Sequence, residues 1–154
     1  KRESIRLARE EALREMGQVS RRDLFMLGLG LYLGEGTKIS SMVCLVNSDS
    51  RVIRLAIRWL MQGCGVPRKN FRIRLHLYPD CNERKSIDFW SKETKLSHEQ
   101  FRKSIFDWRK DKKVVKSGRL PHGTAHLTVL GLGEKKLATF LKRKIDAWLE
   151  EVLR

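Results

Sequence analysis

The chain has 154 residues, a length typical of one domain, and 41% of them are hydrophobic, which argues against a disordered protein. Thirty-three lysines and arginines against eighteen acidic residues leave a net charge of +15, which favours a polyanionic partner such as nucleic acid. The longest apolar run, residues 24–33, is about half of the ~20 residues that a membrane span needs, so we expect no membrane partner. The three cysteines are widely spaced, which fits reduced thiols and a cytoplasmic protein better than a disulfide framework.

The first twenty residues are predicted to be separate from the rest of the chain. Aliphatic side chains recur at helical spacing among the charges of residues 1–16, which predicts a charged N-terminal helix. The sequence begins with Lys1 rather than methionine, and we expect residues 1–20 to be the remnant of an upstream segment. Residues 21–154 are expected to form a single domain.

The second helix is predicted to be the most apolar element of the chain. It should begin near Arg21, because Ser20 and Asp23 have the spacing of a capping box. Over residues 24–33 the helix is apolar on all sides, which predicts that it is buried.

Strands and helices alternate through the rest of the sequence, which predicts an α+β fold with a small mixed or antiparallel sheet and helices packed on one side. The expected elements are a strand at 42–46, a helix that starts at 47–49 and ends at 63, a strand at 71–78, a helix at 83–95, strands at 103–108 and 124–129, and a helix at 134–153. Between the last two strands, residues 110–119 carry five cations against one acid and are predicted to form a hairpin arm.

Two of the predicted strands alternate apolar and polar side chains. Arg72, Arg74 and His76 should share one face of the sheet, opposite the apolar residues of the same strand. Thr124 and His126 repeat this alternation on the later strand. Because an uncovered cationic face can lie along a phosphate backbone while its side chains reach base edges, the pattern predicts nucleic-acid binding by the sheet.

Small residues and one acid mark the end of the second helix. Gly30 and Gly34 lie on one face with Leu27 and Leu31, although each glycine costs a helix ~1 kcal/mol relative to alanine. Since such positions allow close contact with another helix, this face is a predicted dimer interface. If two copies cross there, their Glu35 carboxylates converge and repel each other unless a divalent cation neutralises them. A metal ion held in that way suits phosphodiester hydrolysis.

Residues 28–36, Gly-Leu-Gly-Leu-Tyr-Leu-Gly-Glu-Gly, resemble the LAGLIDADG motif of homing endonucleases. The third-position glycine, the fourth-position leucine and the terminal small residue, acid and glycine all match. The leading leucine is replaced by Gly28, although Leu27 precedes it. Beyond residue 20 the order of predicted elements is also similar to that of a single LAGLIDADG domain.

The resemblance implies a homodimeric endonuclease that cuts double-stranded DNA and requires Mg²⁺ or Mn²⁺. Glu35 would be the catalytic acid and metal ligand, and the carbonyl of Gly34 would help to hold the metal. The sheet residues would face the major groove, the basic arm would contact phosphates, and one of its cations would support catalysis. The residues expected to contact DNA are Lys38, Arg72, Arg74, His76, Lys112, Lys113, Lys116, Arg119, Thr124 and His126.

Two departures from the family pattern keep a second function open. Only thirteen residues, 37–49, separate the motif from the next helix, so the long two-stranded ribbon of homing endonucleases is shortened or absent. No polar active-site residue is evident at 44–46, which reads Cys-Leu-Val. The alternative is a catalytically silent, LAGLIDADG-derived transcription regulator, in which Glu35 bonds a backbone amide or Lys38. RNA binding is a third interpretation, although Tyr78 is the one aromatic residue predicted on the outward face.

Overall fold

The computed structural model describes residues 1–108 and 120–154 of the chain, so the predicted basic arm at 110–119 lies outside the described residues. Five α-helices and four strands are described, which confirms the α+β prediction. They are α1 (Arg2–Met16), α2 (Arg21–Glu35), β1 (Cys44–Asn47), α3 (Ser50–Gln62), β2 (Phe71–Leu77), α4 (Glu83–Thr94), β3 (Phe101–Phe106), β4 (Thr124–Val129) and α5 (Thr139–Val152). Among the described residues no helix has both the length and the apolar character needed to cross a membrane.

The four strands form one mixed sheet in the order β1-β4-β2-β3. Strand β4 is antiparallel to both of its neighbours, whereas β2 and β3 are parallel and are connected through α4. The hairpin expected between β3 and β4 is wrong, because β2 lies between these two strands. A parallel pair needs a crossover connection, and α4 supplies it.

One face of the sheet forms the protein core together with α3. On β2, Phe71, Ile73, Leu75 and Leu77 are at most 1% exposed, while the residues between them are partly or fully exposed. Helix α3 begins at the N-cap Asp49, whose carboxylate accepts a bond from Arg51 N–H, and it buries five residues on its inner side. Because burial alternates with every residue along β2, the polar side chains of this strand lie on the opposite face of the sheet.

Helix α2 begins as predicted but is buried on one side only. Ser20 and Asp23 form the capping box, with Ser20 N–H donating to the Asp23 carboxylate and Asp23 N–H donating to the Ser20 hydroxyl. Contacts with α3, β1 and α5 cover the side that carries Leu24, Gly28, Leu29 and Tyr32. The prediction of burial all round is wrong, since Leu27 is 53% exposed and Leu33 is 40% exposed.

The first helix is isolated from the core, and the boundaries of three other elements differ from the predictions. Helix α1 has no buried residue, and its Arg6 pairs with Glu3 and Glu10 along the helix itself. The last helix starts at Thr139 rather than at 134, because positive φ angles at Leu132 and Gly133 and a short 3₁₀ turn come first. Strand β3 lies two residues earlier than predicted, and β1 covers 44–47 rather than 42–46.

Candidate nucleic-acid interface

The sheet face turned away from the core, here called the open face, collects polar side chains from all four strands. Strand register assigns to it Cys44, Val46, Arg72, Arg74, His76, Arg102, Ile105, Thr124, His126 and Thr128. The five sheet residues predicted as DNA contacts therefore do lie on one surface. Arg102 was not predicted there, and it joins the open face because it is paired in register with Arg74.

Two histidines stack on each other at the middle of the open face. The rings of His76 on β2 and His126 on β4 have centroids 3.6 Å apart and an interplanar angle of 14°. In the ladder itself, His76 is opposite Thr124 and His126 is opposite Arg74, so the histidines are diagonal neighbours. Diagonal neighbours on one face are within reach of ring side chains, and the stack follows from this register.

Burial favours the uncharged form of both imidazoles. It lowers the pKa of His126 to about 4, with further lowering by electrostatic interaction with His76 and Arg74. The pKa of His76 is also lowered, first by burial and then by Arg74, while Asp107 opposes the shift. A neutral imidazole has one N–H donor and one nitrogen acceptor, which are the groups needed to hydrogen bond with the edge of a base.

The three arginines of the open face differ in their availability. Arg72 donates through Nη1 to the carbonyl oxygens of Lys69 and Phe71, at 2.7 and 2.8 Å, so its guanidinium is held against the backbone. Arg74 and Arg102 are exposed, and no acid within the described ranges forms an ion pair with either of them. These two neighbouring guanidinium groups are therefore the cations that the open face presents to a ligand.

A cavity of about 370 Å³ adjoins the histidine stack at the end of β2 and β3. Its lining combines polar and aromatic groups from His76, Tyr78, Phe106, Asp107, Thr124 and His126, among others. The Asp107 N–H donates to the Leu77 carbonyl oxygen at 2.9 Å, which fixes the backbone at this end of the sheet.

The predicted phosphate contacts Lys112, Lys113, Lys116 and Arg119 all lie outside the described residues.

Glu35 is the last residue of α2 and its side chain is exposed. Within residues 1–108 and 120–154, its carboxylate has no hydrogen-bond or ion-pair partner, so the bond to Lys38 or to a backbone amide that the alternative function expects is not seen. The Lys38 ammonium instead caps the helix, donating to the carbonyl oxygens of Tyr32, Leu33 and Gly36 at 3.0, 2.5 and 3.2 Å. A cation at this end favours the helix because it offsets the macrodipole.

The chain beyond Glu35 runs along the β1 edge of the sheet. Gly36 forms an isolated antiparallel bridge with Leu45, and Thr37 N–H donates to the Cys44 carbonyl oxygen at 2.9 Å. A side chain at Gly36 would overlap Tyr32, so this close approach requires glycine. With neighbouring strands about 4.8 Å apart, three spacings put the backbone at Gly36 about 15 Å from β2. The backbone beside the acid and the strand that carries His76 are therefore at separate positions across the sheet.

The outer side of α2, defined as Leu27, Gly30, Leu31 and Gly34, brings together the four residues predicted as a dimer interface. A Cβ atom added at Gly30 or Gly34 would meet nothing within 4 Å. Leu27 is 53% exposed and Leu31 is half-buried. The helix backbone is therefore accessible on this side, and Glu35 is the next residue after its last glycine.

The residues at this end of α2 fit one half of a magnesium site. Glu35 offers a carboxylate without a described partner, and the Lys38 cap leaves the Gly34 carbonyl unused. No group of three or more His, Cys, Asp or Glu residues in the described part of the chain could hold a metal ion. Since Mg²⁺ is usually held by one or two carboxylates with several waters, a second copy would have to supply the other carboxylate.

Comparison of this chain with models of known protein families, with curated proteins and with solved structures found no match. The functional interpretation therefore rests on the residues and their geometry.

Proposed function

We propose that this protein is a Mg²⁺-dependent, site-specific endonuclease of double-stranded DNA, of the LAGLIDADG homing type, that acts as a homodimer. The observation that carries the proposal is a sheet face with two arginines that have no acidic partner among the described residues, next to a β1 edge at which Glu35 likewise has none. A duplex lying on such a face would meet cations and neutral base-reading groups at the sheet and an acid beside it.

The open face supplies affinity and sequence reading. Arg74 and Arg102 offer guanidinium groups to phosphates or to guanine, which Arg recognises through two hydrogen bonds. His76, His126 and Thr124 offer neutral donors and acceptors to base edges. The net charge of +15 attracts the duplex from a distance before these short-range contacts form.

The acid and its neighbouring carbonyl supply the reaction centre. Glu35 and the Gly34 carbonyl would hold Mg²⁺, which when bound activates water and stabilises charge on the scissile phosphate. One chain offers one such carboxylate, so the proposal requires two copies in contact through the outer side of α2. Helices that cross at Gly30 and Gly34 can approach closely, and their Glu35 carboxylates would then lie near each other.

The decisive test compares the wild type with Glu35→Gln in a cleavage assay on a library of duplex DNA with Mg²⁺ or Mn²⁺. Binding to the same library is measured in parallel. We expect metal-dependent cleavage by the wild type, loss of cleavage in Glu35→Gln, and DNA binding within a few fold of the wild type. Glu99→Gln is the matched control, because it removes the same charge from an exposed residue just before β3, at the opposite edge of the sheet. Cleavage that survives in Glu35→Gln would exclude Glu35 as the catalytic acid.

A second function, a DNA-binding transcription regulator without cleavage, is favoured by one specific observation. The two-stranded ribbon that would follow the motif is reduced to the bridge between Gly36 and Leu45, which leaves less surface for reading a long target. Sequence-selective binding with no cleavage, unchanged in Glu35→Gln, would identify this function. Failure to bind any duplex at low salt would exclude both functions and make RNA the next ligand to test.

A further inference from the structure

A second basic surface lies on the helical side of the molecule, away from the open face. It is a groove of about 280 Å³ between α3 and the end of α4. Arg54, Ile57, Arg58 and Met61 of α3 line one wall, and Arg68, Glu93 and Lys95 line the other. The proposed DNA function does not use any of these residues.

Hydrogen bonds hold one wall of the groove in shape, and the ion pair between Arg54 and Glu93 connects that wall to α3. Arg68 donates through Nη1 to the carbonyl oxygens of Thr94 and Lys95, at 3.1 and 3.4 Å, which connects the turn before β2 to the end of α4. Gln100 donates through Nε2 to the Arg68 carbonyl oxygen at 2.8 Å. A ligand would therefore enter a site that is already formed, which reduces the ordering cost of binding.

The groove carries more positive charge than its own acid can neutralise. Its one described acid is Glu93, whose carboxylate lies 3.4 Å from Arg54 and accepts a bond from the Ser50 hydroxyl at 2.8 Å. Arg58 and Lys95 form no ion pair with any acid in residues 1–108 or 120–154. Four cations against one acid leave a surplus of three positive charges around the groove.

An apolar residue in its lining distinguishes this groove from a phosphate-binding surface. Ile57 is 4% exposed and belongs to the core, whereas Met61 is partly exposed in the groove and can contact an apolar side chain of a ligand. A duplex presents a continuous row of phosphates on its outside, while apolar groups such as the thymine methyl lie inside its grooves. Acidic peptides, in contrast, combine carboxylates with neighbouring apolar side chains, and arginine clusters are a recurring way to bind them.

We propose that this groove binds an acidic segment of a partner protein. A carboxylate of the segment pairs with Arg58, and an adjacent apolar side chain packs on Met61. Arg58 is the anchor because Arg54 and Arg68 are already bonded within the chain. Since the groove and the open face are on different sides of the sheet, the protein can bind a partner and nucleic acid at the same time.

The test uses a short fluorescein-labelled peptide of alternating glutamate and leucine, titrated against the full chain at about 0.15 M ionic strength, where long-range attraction is screened. We expect Arg58→Glu to weaken peptide binding about tenfold or more, the equivalent of about 1.4 kcal/mol. Arg143→Glu makes the same charge change on an exposed residue of α5 and should leave the affinity within about twofold. Met61→Ser should also weaken binding, because it removes an apolar contact.

Three results would overturn the proposal. Equal loss of binding in Arg58→Glu and Arg143→Glu would mean that the overall charge attracts the peptide. Equal affinity for a peptide with glutamine in place of glutamate would mean that the carboxylates are not recognised. Weaker duplex DNA binding in Arg58→Glu than in Arg143→Glu would assign the groove to nucleic acid. Circular dichroism of each variant checks that it is folded, and none of these measurements depends on cleavage.

Discussion

The two sides of α2 contain glycine for opposite reasons. On the inner side, a side chain at Gly28 would overlap the indole ring of Trp59, so glycine allows α2 and α3 to pack closely. On the outer side, a Cβ atom at Gly30 or Gly34 would contact none of the residues that the structure describes. Glycine lowers helix stability in both places, but only the inner one is offset by packing that one chain provides. The outer glycines would suit the contact with a second copy that the proposed function requires.

The sheet also has one packed side and one exposed side, because successive residues of a strand point to opposite faces. Its core face is closed by apolar residues that are at most a few per cent exposed, while its open face carries arginine, histidine and threonine. Substitutions on the packed sides should therefore change stability, and substitutions on the open sides should change binding.

The largest expected effect comes from Gly28→Ala. The added methyl group cannot fit beside Trp59, and we expect the free energy of unfolding to fall by about 3 kcal/mol. Urea denaturation at low protein concentration measures this change. Gly30→Ala and Gly34→Ala are the matched controls, and each should raise monomer stability by up to ~1 kcal/mol because alanine favours the helix. Sedimentation equilibrium should show weaker self-association in these two controls, and equal destabilisation of all three variants would remove the distinction between the two sides.

A smaller effect is expected when pH changes the charge of the histidine stack. The pKa of His126 is about 4 in the folded protein and about 6.5 in the unfolded chain, so only the unfolded chain takes up a proton between these values. Stability should therefore be complete above pH 6.5 and should decrease as pH falls toward 4. Because the ring is half-exposed, we expect a loss of about 1 kcal/mol rather than the full value of the shift.

The pH effect is measured by urea denaturation at pH 7 and pH 4.5, in the wild type and in His126→Gln. The charged or titratable groups that face this ring are His76, Arg74 and, through His76, Asp107. The variant should show the smaller dependence on pH, with His76 accounting for the remainder. An identical pH dependence in both proteins would mean that the stack does not control it.

The smallest expected effect on stability comes from Arg74→Ala on the open face. Since Arg74 is exposed and unpaired among the described residues, the free energy of unfolding should change by less than about 0.5 kcal/mol. DNA binding should weaken, and the slope of log affinity against log salt should decrease by about 1 if Arg74 contacts a phosphate. Arg72→Ala is the matched control, because that guanidinium already bonds Lys69 and Phe71. A larger effect from Arg72→Ala would reverse the assignment of the available cation.

The sequence predicts those elements that depend only on neighbouring residues along the chain. Alternation along residues 71–77 predicts both the strand and the side of the sheet on which Arg72, Arg74 and His76 lie. The capping box at Ser20 likewise predicts the start of α2. Burial of α2 was predicted wrongly, because a run of apolar residues does not show which sides have neighbours to cover them.

The arrangement of the site depends on the order of the strands in the sheet. This order cannot be predicted from the pattern of residues within any one strand. The stacking of His76 on His126 requires β4 to lie beside β2, whereas the sequence favoured a hairpin between β3 and β4. The position of Arg102 on the open face follows from the parallel pairing of β2 and β3. The only sequence signal for the stack is that both histidines occupy outward positions of alternating strands.

The position of β4 in the sheet determines the order in which the strands can pair during folding. It is the only described strand that joins β1 to the others, and its Thr128 pairs with Cys44, which lies 84 residues earlier in the chain. During synthesis, β2, α4 and β3 emerge together and can pair at once, whereas β1 has only the bridge to Gly36, and no other described strand beside it, until β4 is made. The strand that completes the sheet also carries Thr124 and His126, so the histidine stack of the open face forms in the same step in which the sheet is completed.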